Sequence, residues 1–202
     1  MLKLSAVSID FKSGDLDLRV KALELKKSNL KELFSASSEI IFLGTCNRVE
    51  IYSFGNVTSQ DLLLKWIEAC KLTEDESKQF RLFQGTEVVE HLFRVAASLE
   101  SMVVGEAQIL GQVKSCYEEA SRMGTVGPVL HKLFQRTLRI AKRIRSETDV
   151  GRFPVSVPSI AVRLAEKVVG TMTDRVVLVV GLGEMGRLAA EYFSSTQPRE
   201  LL

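Results

Sequence analysis

Two kinds of apolar periodicity divide the chain. Leu2 to Ile9 is apolar and β-branched enough for a strand, Ile40 to Leu43 is a short apolar run, and Val49 to Phe54 is dense in strand formers. Between the first two, Leu18 to Phe34 carries apolar residues at helical spacing. Leu62, Trp66, Ile67 and Cys70 make one face of a second helix, and Phe80 to Phe83 reads as a last short strand. The order strand, helix, strand, strand, helix, strand predicts a split βαβ, ferredoxin-like βαββαβ subdomain.

From about Val88 the spacing becomes helical throughout. Val88, Leu92, Val95 and Leu99 share one face. Ile109, Val113, Tyr117 and Ala120 line a second helix, and Leu133, Thr137, Ile140 and Ile144 a third. Gly124, Gly127 and Pro128 break the second helix from the third, and the proline- and serine-containing stretch Gly151 to Pro158 marks a domain boundary. Beyond it come a helix around Ala161 to Val168, a strand from Arg175 to Val180, a glycine run and another helix. That tail predicts a single βα unit rather than a sheet. The expected fold class is α+β: the ferredoxin-like subdomain with a helical subdomain over 1–152, then the truncated start of a Rossmann α/β domain over 153–202.

Composition narrows the function classes. With 202 residues, 46% apolar, 26% charged and a net charge of +2, the chain is an ordinary globular one, and whole-chain charge alone does not imply nucleic-acid binding. Cys46, Cys70 and Cys116 are too few and too scattered for a metal site or a disulfide framework. No apolar run reaches the roughly 18 residues of a membrane span. The chain opens on a strand-like segment without a signal or transit peptide, so a reducing, cytoplasmic setting is expected.

Several motifs carry candidate chemistry. Gly181-Leu182-Gly183-Glu184-Met185-Gly186 follows a predicted strand and opens a helix, the context of a dinucleotide fingerprint. Gly181 permits a tight turn, Gly183 a close pyrophosphate, and Gly186 close helix packing; a ligand-free glycine turn is the plain alternative. The residue that separates NADH from NADPH lies about 20 positions further on, at or past the end of the chain. Cys46 sits in Gly44-Thr45-Cys46-Asn47-Arg48 between two strands, among polar neighbours, with Arg48 placed to favour a thiolate. A merely structural cysteine remains open there, whereas Cys70 and Cys116 belong to apolar helix faces. His91 is either a core or capping residue or an acid–base partner for an exposed cysteine. Gln108 and Gln112, four apart, stack on one helix face, either to present donors and acceptors to a small polar ligand or as the solvated side of an ordinary amphipathic helix. Lys132, Arg136, Arg139 and Arg143, broadened by Lys142 and Arg145, form a basic stripe suited to a phosphate backbone or simply to water.

The stretches LGTCNRVEIY (43–52), HLFRVAASLESMVVGEAQILGQVK (91–114), HKLFQRTLRIAKRIRSETDVG (131–151), VSVPSIAV (155–162) and VVGLGEMG (179–186) together resemble the glutamyl-tRNA reductase family. The resemblance covers nearly the whole chain, and TCNR with GEAQILGQVK is its specific part. It implies that Cys46 attacks the ester of glutamyl-tRNA, that the resulting thioester is reduced by NADPH to glutamate-1-semialdehyde, and that this begins tetrapyrrole synthesis. It implies a catalytic His91 that protonates the leaving hydroxyl. Thr45, Asn47 and Arg48, with Ser101, Glu106, Ala107, Gln108 and Gln112, match substrate-binding positions. Arg48 is expected to hold a substrate carboxylate and Glu106 an ammonium group. Residues 181–186 match the cofactor turn. Glutamate-1-semialdehyde aminomutase and a second copy of the full-length protein are the partners the resemblance implies.

Two departures stand out. The family pattern G-x-x-H-K-T-A-P reads Ser8-Ile9-Asp10-Phe11-Lys12-Ser13-Gly14-Asp15 here, with Phe11 for the histidine and Asp15 for the proline. The family also continues through a complete Rossmann domain to a dimerisation domain, so a fragment unable to reduce its thioester alone is expected. A generic NAD(P) dehydrogenase, a non-catalytic RNA-binding module and a cysteine hydrolase are the rival readings.

Overall fold

The computed structural model describes residues 3–25, 30–151 and 157–202, and it divides into two units, Met1–Arg152 and Phe153–Leu202. The first unit is α+β. In chain order it contains β1 (Leu4–Asp10), α1 (Leu16–Leu23), α2 (Leu30–Leu33), β2 (Ser37–Gly44), β3 (Arg48–Gly55), α3 (Ser59–Cys70), α4 (Glu74–Ser77), β4 (Arg81–Gln84), α5 (Thr86–Ala96), α6 (Gln108–Arg122) and α7 (Pro128–Glu147). The strands form one antiparallel sheet in the order β2-β3-β1-β4.

Both faces of this sheet are covered, so its central strands β1 and β3 are buried at nearly every position. Alternation sorts them. Val7 and Ile9, Ile40 and Phe42, and Val49 and Ile51 point to one face, where they pack with Leu18, Ala22, Phe34, Leu62 and Trp66 from α1 to α3. Ala6, Ile41, Leu43 and Tyr52 point to the other, against α5, α6 and α7. Helix starts are chemically marked. Thr58 with Asp61, and Thr73 with Glu76, form capping boxes, and Asp15 caps α1. Glu39 on β2 accepts from the amides of Val129 (3.0 Å) and Leu130 (2.6 Å), placing a buried carboxylate at the N-terminus of α7.

Two expectations of helix extent differ from the structure in this unit. Leu18 to Phe34 is not one helix; α1 ends at Leu23 and α2 begins at Leu30, and the helical spacing arises because Leu25, Leu30 and Phe34 enter the same core. Residues 26–29 lie outside the described residues, as do 152–156, which include most of the predicted boundary loop. Leu99 is not on α5, which stops at Ala96 before Ser98 takes a positive φ of 67°.

The second unit contains α8 (Val157–Val169), β5 (Val176–Val177), α9 (Glu184–Ser195) and β6 (Glu200–Leu201). Here β6 pairs with β5 in parallel, so the tail is a strand–helix–strand unit and not the single strand and helix expected. Two residues of strand are too short to show a period. At the glycine turn, Gly181 has a φ of 101°, and a Cβ on Gly186 would lie 1.9 Å from the Gly181 carbonyl oxygen. Only glycine lets the first turn of α9 approach that closely. A Cβ on Gly183, by contrast, would meet open space.

Candidate active site

Thr45, Cys46 and Asn47 form the tight connection between β2 and β3. The turn is self-bracing: Thr45 donates its amide to the Arg48 carbonyl (2.8 Å), and Thr45 Oγ1 accepts from the amides of Asn47 (3.2 Å) and Arg48 (3.1 Å). Phe11, at the position where the family pattern has histidine, donates its amide to the Asn47 carbonyl (3.0 Å). Arg19 Nε donates to the Cys46 carbonyl (3.4 Å). With its backbone thus held on both sides, Cys46 is exposed, whereas Cys70 and Cys116 are buried.

The segment between α5 and α6 comes to meet this turn. Ser98 Oγ donates to the Glu106 carbonyl (2.6 Å), and Arg145 of α7 donates to the carbonyls of Gly105 (3.0 Å) and Glu106 (2.9 Å). Gly105 has a φ of 90°, and a Cβ there would stand 2.4 Å from the Val150 carbonyl oxygen. The loop is therefore pinned from both ends. Thr45, Cys46, Asn47 and Arg48 now line one pocket with Ser101, Glu106, Gln108 and Gln112, plus Ile109 as an apolar wall. Its cavity is about 20 Å³, room for about one water. Ser101 Oγ is buried and meets no hydrogen-bond partner among the described residues. A buried hydroxyl left unsatisfied carries a desolvation cost, so such groups are rare and call for a reason.

Behind the pocket lies a buried ionic network. Arg48, 1% exposed, donates from Nη1 to Glu50 Oε1 (3.0 Å) and from Nη2 to the Glu100 carbonyl. Glu50 Oε1 also accepts from Ser8 Oγ (2.8 Å) and meets His91 Nε2 (3.0 Å), while Oε2 accepts from Tyr52. Burial opposes ionisation of Glu50, but the neighbouring His91 and Arg48 outweigh it and hold its carboxyl far below the usual carboxylate range. An ionised carboxylate only accepts, so His91 presents Nε2–H to it. Burial, and then Glu50, push the Tyr52 hydroxyl well above its ordinary value. Burial likewise opposes ionisation of Glu100, yet hydrogen bonds from Arg94 (2.8 Å) and Lys12 (3.0 Å) bring its pKa to about 2.

The expected residues thus distribute unevenly. Eight converge on the pocket, but Ala107 instead borders a groove between α6 and α7. His91 does not line the Cys46 pocket; its ring stacks on Phe83 (4.1 Å between centroids) and borders a separate depression of about 430 Å³ with Arg81, Glu90 and Arg94. None of Arg48's hydrogen bonds among the described residues reaches Cys46, and two of its donors are already engaged. Glu50, Tyr52 and Glu100 are not singled out by the sequence, and Arg145 is read there only as part of the basic stripe. The signal for the first two was the i, i+2 spacing of Arg48, Glu50 and Tyr52, three polar side chains on one face of a strand whose other face is Val49 and Ile51. Among the described residues no cluster of His, Cys, Asp and Glu could hold a metal ion, and no helix is long and apolar enough to cross a membrane.

Comparison with known proteins places this geometry. Residues 7–148 match the family model for the glutamyl-tRNAGlu reductase N-terminal domain. A glutamyl-tRNA reductase from Aquifex aeolicus is 40% identical over 198 residues, covering 95% of this chain and 49% of that protein. One from Syntrophobacter fumaroxidans is 44% identical over 81% of this chain and 37% of its own length. The solved structure of glutamyl-tRNA reductase from Methanopyrus kandleri superimposes with a TM-score of 0.70 at 36% identity, covering 100% of this chain and 49% of that one. The chain therefore spans about half the length of its relatives, or less. On the match over residues 7–148 and these identities, the chain belongs to the glutamyl-tRNA reductase family.

Proposed function

We propose that this chain carries the acyl-accepting half of a glutamyl-tRNA reductase, with Cys46 as the nucleophile. The observation that carries the reading is the convergence of an exposed thiol with a buried, unpartnered Ser101 hydroxyl and the Glu106 side chain in one pocket, drawn from segments far apart in the chain. Sγ attacks the carbonyl carbon of the glutamyl ester, a C–S bond forms, the C–O bond to the ribose breaks, and the thiol proton ends on the ribose hydroxyl. Ser101 Oγ donates to the glutamyl group, and Glu106 pairs with its ammonium. Arg48 enters the site already fixed by Glu50 and the Glu100 carbonyl, so its remaining N–H groups meet the substrate carboxylate without reorganising. The pocket as it stands is closed, and Gln108 and Gln112 at its wall swing aside to admit the substrate. His91 acts as a positioning residue through Glu50 rather than as the proton donor to the leaving hydroxyl.

The sheet order β2-β3-β1-β4 supports a ferredoxin-like reading of the first subdomain, with α5 to α7 as the helical subdomain over residues 1–152. Parallel β5 and β6 around α9 support the start of a Rossmann domain over 153–202. Its glycine turn fits NADPH: the positive φ of Gly181, the open space at Gly183 and the closeness required at Gly186 let a pyrophosphate approach the backbone at the start of α9. Backbone groups of 181–186 would hold the pyrophosphate, and bound NADPH would supply the hydride that turns thioester to glutamate-1-semialdehyde and returns the thiol. In the whole protein this is the entry to tetrapyrrole synthesis, carried out in the cytoplasm by a homodimer, with glutamate-1-semialdehyde aminomutase as the recipient of the product. A generic dehydrogenase or an RNA-binding module leaves the Cys46 pocket without a use. Without NADPH, the chain should release tRNA from glutamyl-tRNA and hydrolyse the thioester slowly; Cys46→Ser should abolish that release. Release undiminished in Cys46→Ser would reject the nucleophile.

A further inference from the structure

A second concavity, about 500 Å³, runs between α6 and α7, within the range of small-ligand sites. It shares α6 with the Cys46 pocket: Gln108, Ile109 and Gln112 face the pocket, while Leu110, Gly111 and Lys114 face the groove. Its floor is apolar, with Leu110, Tyr117 and Leu138. Its rim carries three cations, Lys114, Arg139 and Lys142, and one carboxylate, Glu118. Glu118 lies 3.5 Å from Lys114, whereas Arg139 and Lys142 pair with no carboxylate among the described residues. Gly111 supplies an independent sign. It sits inside α6, where glycine weakens a helix relative to alanine, and a Cβ there would meet nothing within 4 Å. Internal packing thus gives no reason for the bare backbone at that point, and the space it keeps open belongs to the groove.

We infer that this groove seats the 3′-terminal nucleotides of the acyl donor, the base resting on the apolar floor beside Gly111 and the phosphates meeting Lys114, Arg139 and Lys142. The inference rests on the acyl-transfer reading, because it explains how an ester at an RNA 3′ end is held one helix face away from Cys46. Stacking and backbone charge together form the usual chemistry of single-stranded RNA binding without base readout. Of the basic residues on α7, the groove selects Arg139 and Lys142 and leaves Lys132, Arg136 and Arg143 outside it.

The test is binding of the trinucleotide CCA to this chain, followed by fluorescence or NMR, beside acylation of Cys46 by glutamyl-tRNA and by a small glutamyl thioester. Gly111→Leu should weaken CCA binding and slow acylation by glutamyl-tRNA about tenfold or more, while the small thioester reacts at the wild-type rate. Lys142→Ala, a surface change, should lower the slope of log affinity against log salt by about 0.7, one phosphate contact on a single strand. Unchanged CCA affinity in a folded Gly111→Leu protein, or an unchanged salt slope in Lys142→Ala, overturns the assignment. So does displacement of CCA by NADPH, which would give the groove to the dinucleotide. CCA binding needs no acyl transfer, so a Cys46 that accepts glutamate from neither donor refutes the parent reading while the groove is still judged by its own titration.

Discussion

Replacing Glu50 by glutamine is the sharpest probe of the network behind the site. The amide is nearly isosteric. Its oxygen can occupy the Oε1 position and still accept from Ser8, Arg48 and His91, and its NH2 can donate to the Tyr52 hydroxyl. What disappears is the charge facing Arg48, which is 1% exposed and 3.0 Å away. At an effective dielectric near 20 that attraction is about 5 kcal/mol. Breaking a buried pair from one side ordinarily costs about 3–5 kcal/mol, since the remaining charge stays buried and unpaired. The two routes agree, and for a unit of this size the loss corresponds to about 6–20 °C in melting temperature. Urea unfolding followed by Trp66, the only tryptophan and fully buried against Phe42 and Phe80, measures it directly. The double replacement Arg48→Met, Glu50→Leu should recover most of the stability while abolishing acylation of Cys46. A cost below about 1 kcal/mol for Glu50→Gln would refute the ionised, dry network.

Three further outcomes concern the packing around the site. Glu39→Ala removes the carboxylate that accepts from the amides of Val129 and Leu130, and should cost about 1–3 kcal/mol in urea unfolding, with early hydrogen exchange in the first turn of α7. Glu100 has its pKa lowered from 4.5 to about 2, so its contribution is complete above pH 4.5 and disappears as pH falls towards 2. Discounted for the exposed Lys12 and Arg94, that contribution is on the order of 1–3 kcal/mol, and Glu100→Gln should flatten the acid limb of stability against pH without altering its behaviour between pH 5 and 7. Gly105→Ala places a methyl group against the Val150 carbonyl at a φ of 90°, and should lose about 2 kcal/mol or more together with acylation, because the same loop presents Ser101 and Glu106.

Apolar runs and helical spacing were enough to read β1, β2, β3, α3 and the faces of α5 and α6. On α7 the expected face was rotated: Leu130, Phe134, Thr137 and Ala141 are buried, and of Leu133, Thr137, Ile140 and Ile144 only Thr137 is among them. The residues that line the pocket were supplied by the family resemblance and not by local pattern: on spacing alone Cys46 reads as readily structural as reactive, and Gln108 with Gln112 as the solvated side of an amphipathic helix. What stayed hidden is long-range. Ser8 and Glu50 are opposed by the β1–β3 register, and no local pattern shows that pairing. Covering the sheet on both faces turned polar residues that look solvent-facing into the most buried ones. His91 was recognised as important from its motif, but its direction depends on Phe83 and Glu50, brought to it by the fold. Of the basic stripe, Arg145 turns inward to hold the Gly105–Glu106 carbonyls, a role that charge spacing alone does not distinguish from solvation.

Mass analysis of the chain after incubation with glutamyl-tRNA, followed by peptide mapping, addresses the nucleophile most directly. One hydroxylamine-labile glutamyl group on the peptide containing Cys46, absent from Cys46→Ser and never found on Cys70 or Cys116, is the predicted result. An unmodified Cys46 in samples acid-quenched during the first turnover, while tRNA is already being released, or glutamate on another residue, would contradict it.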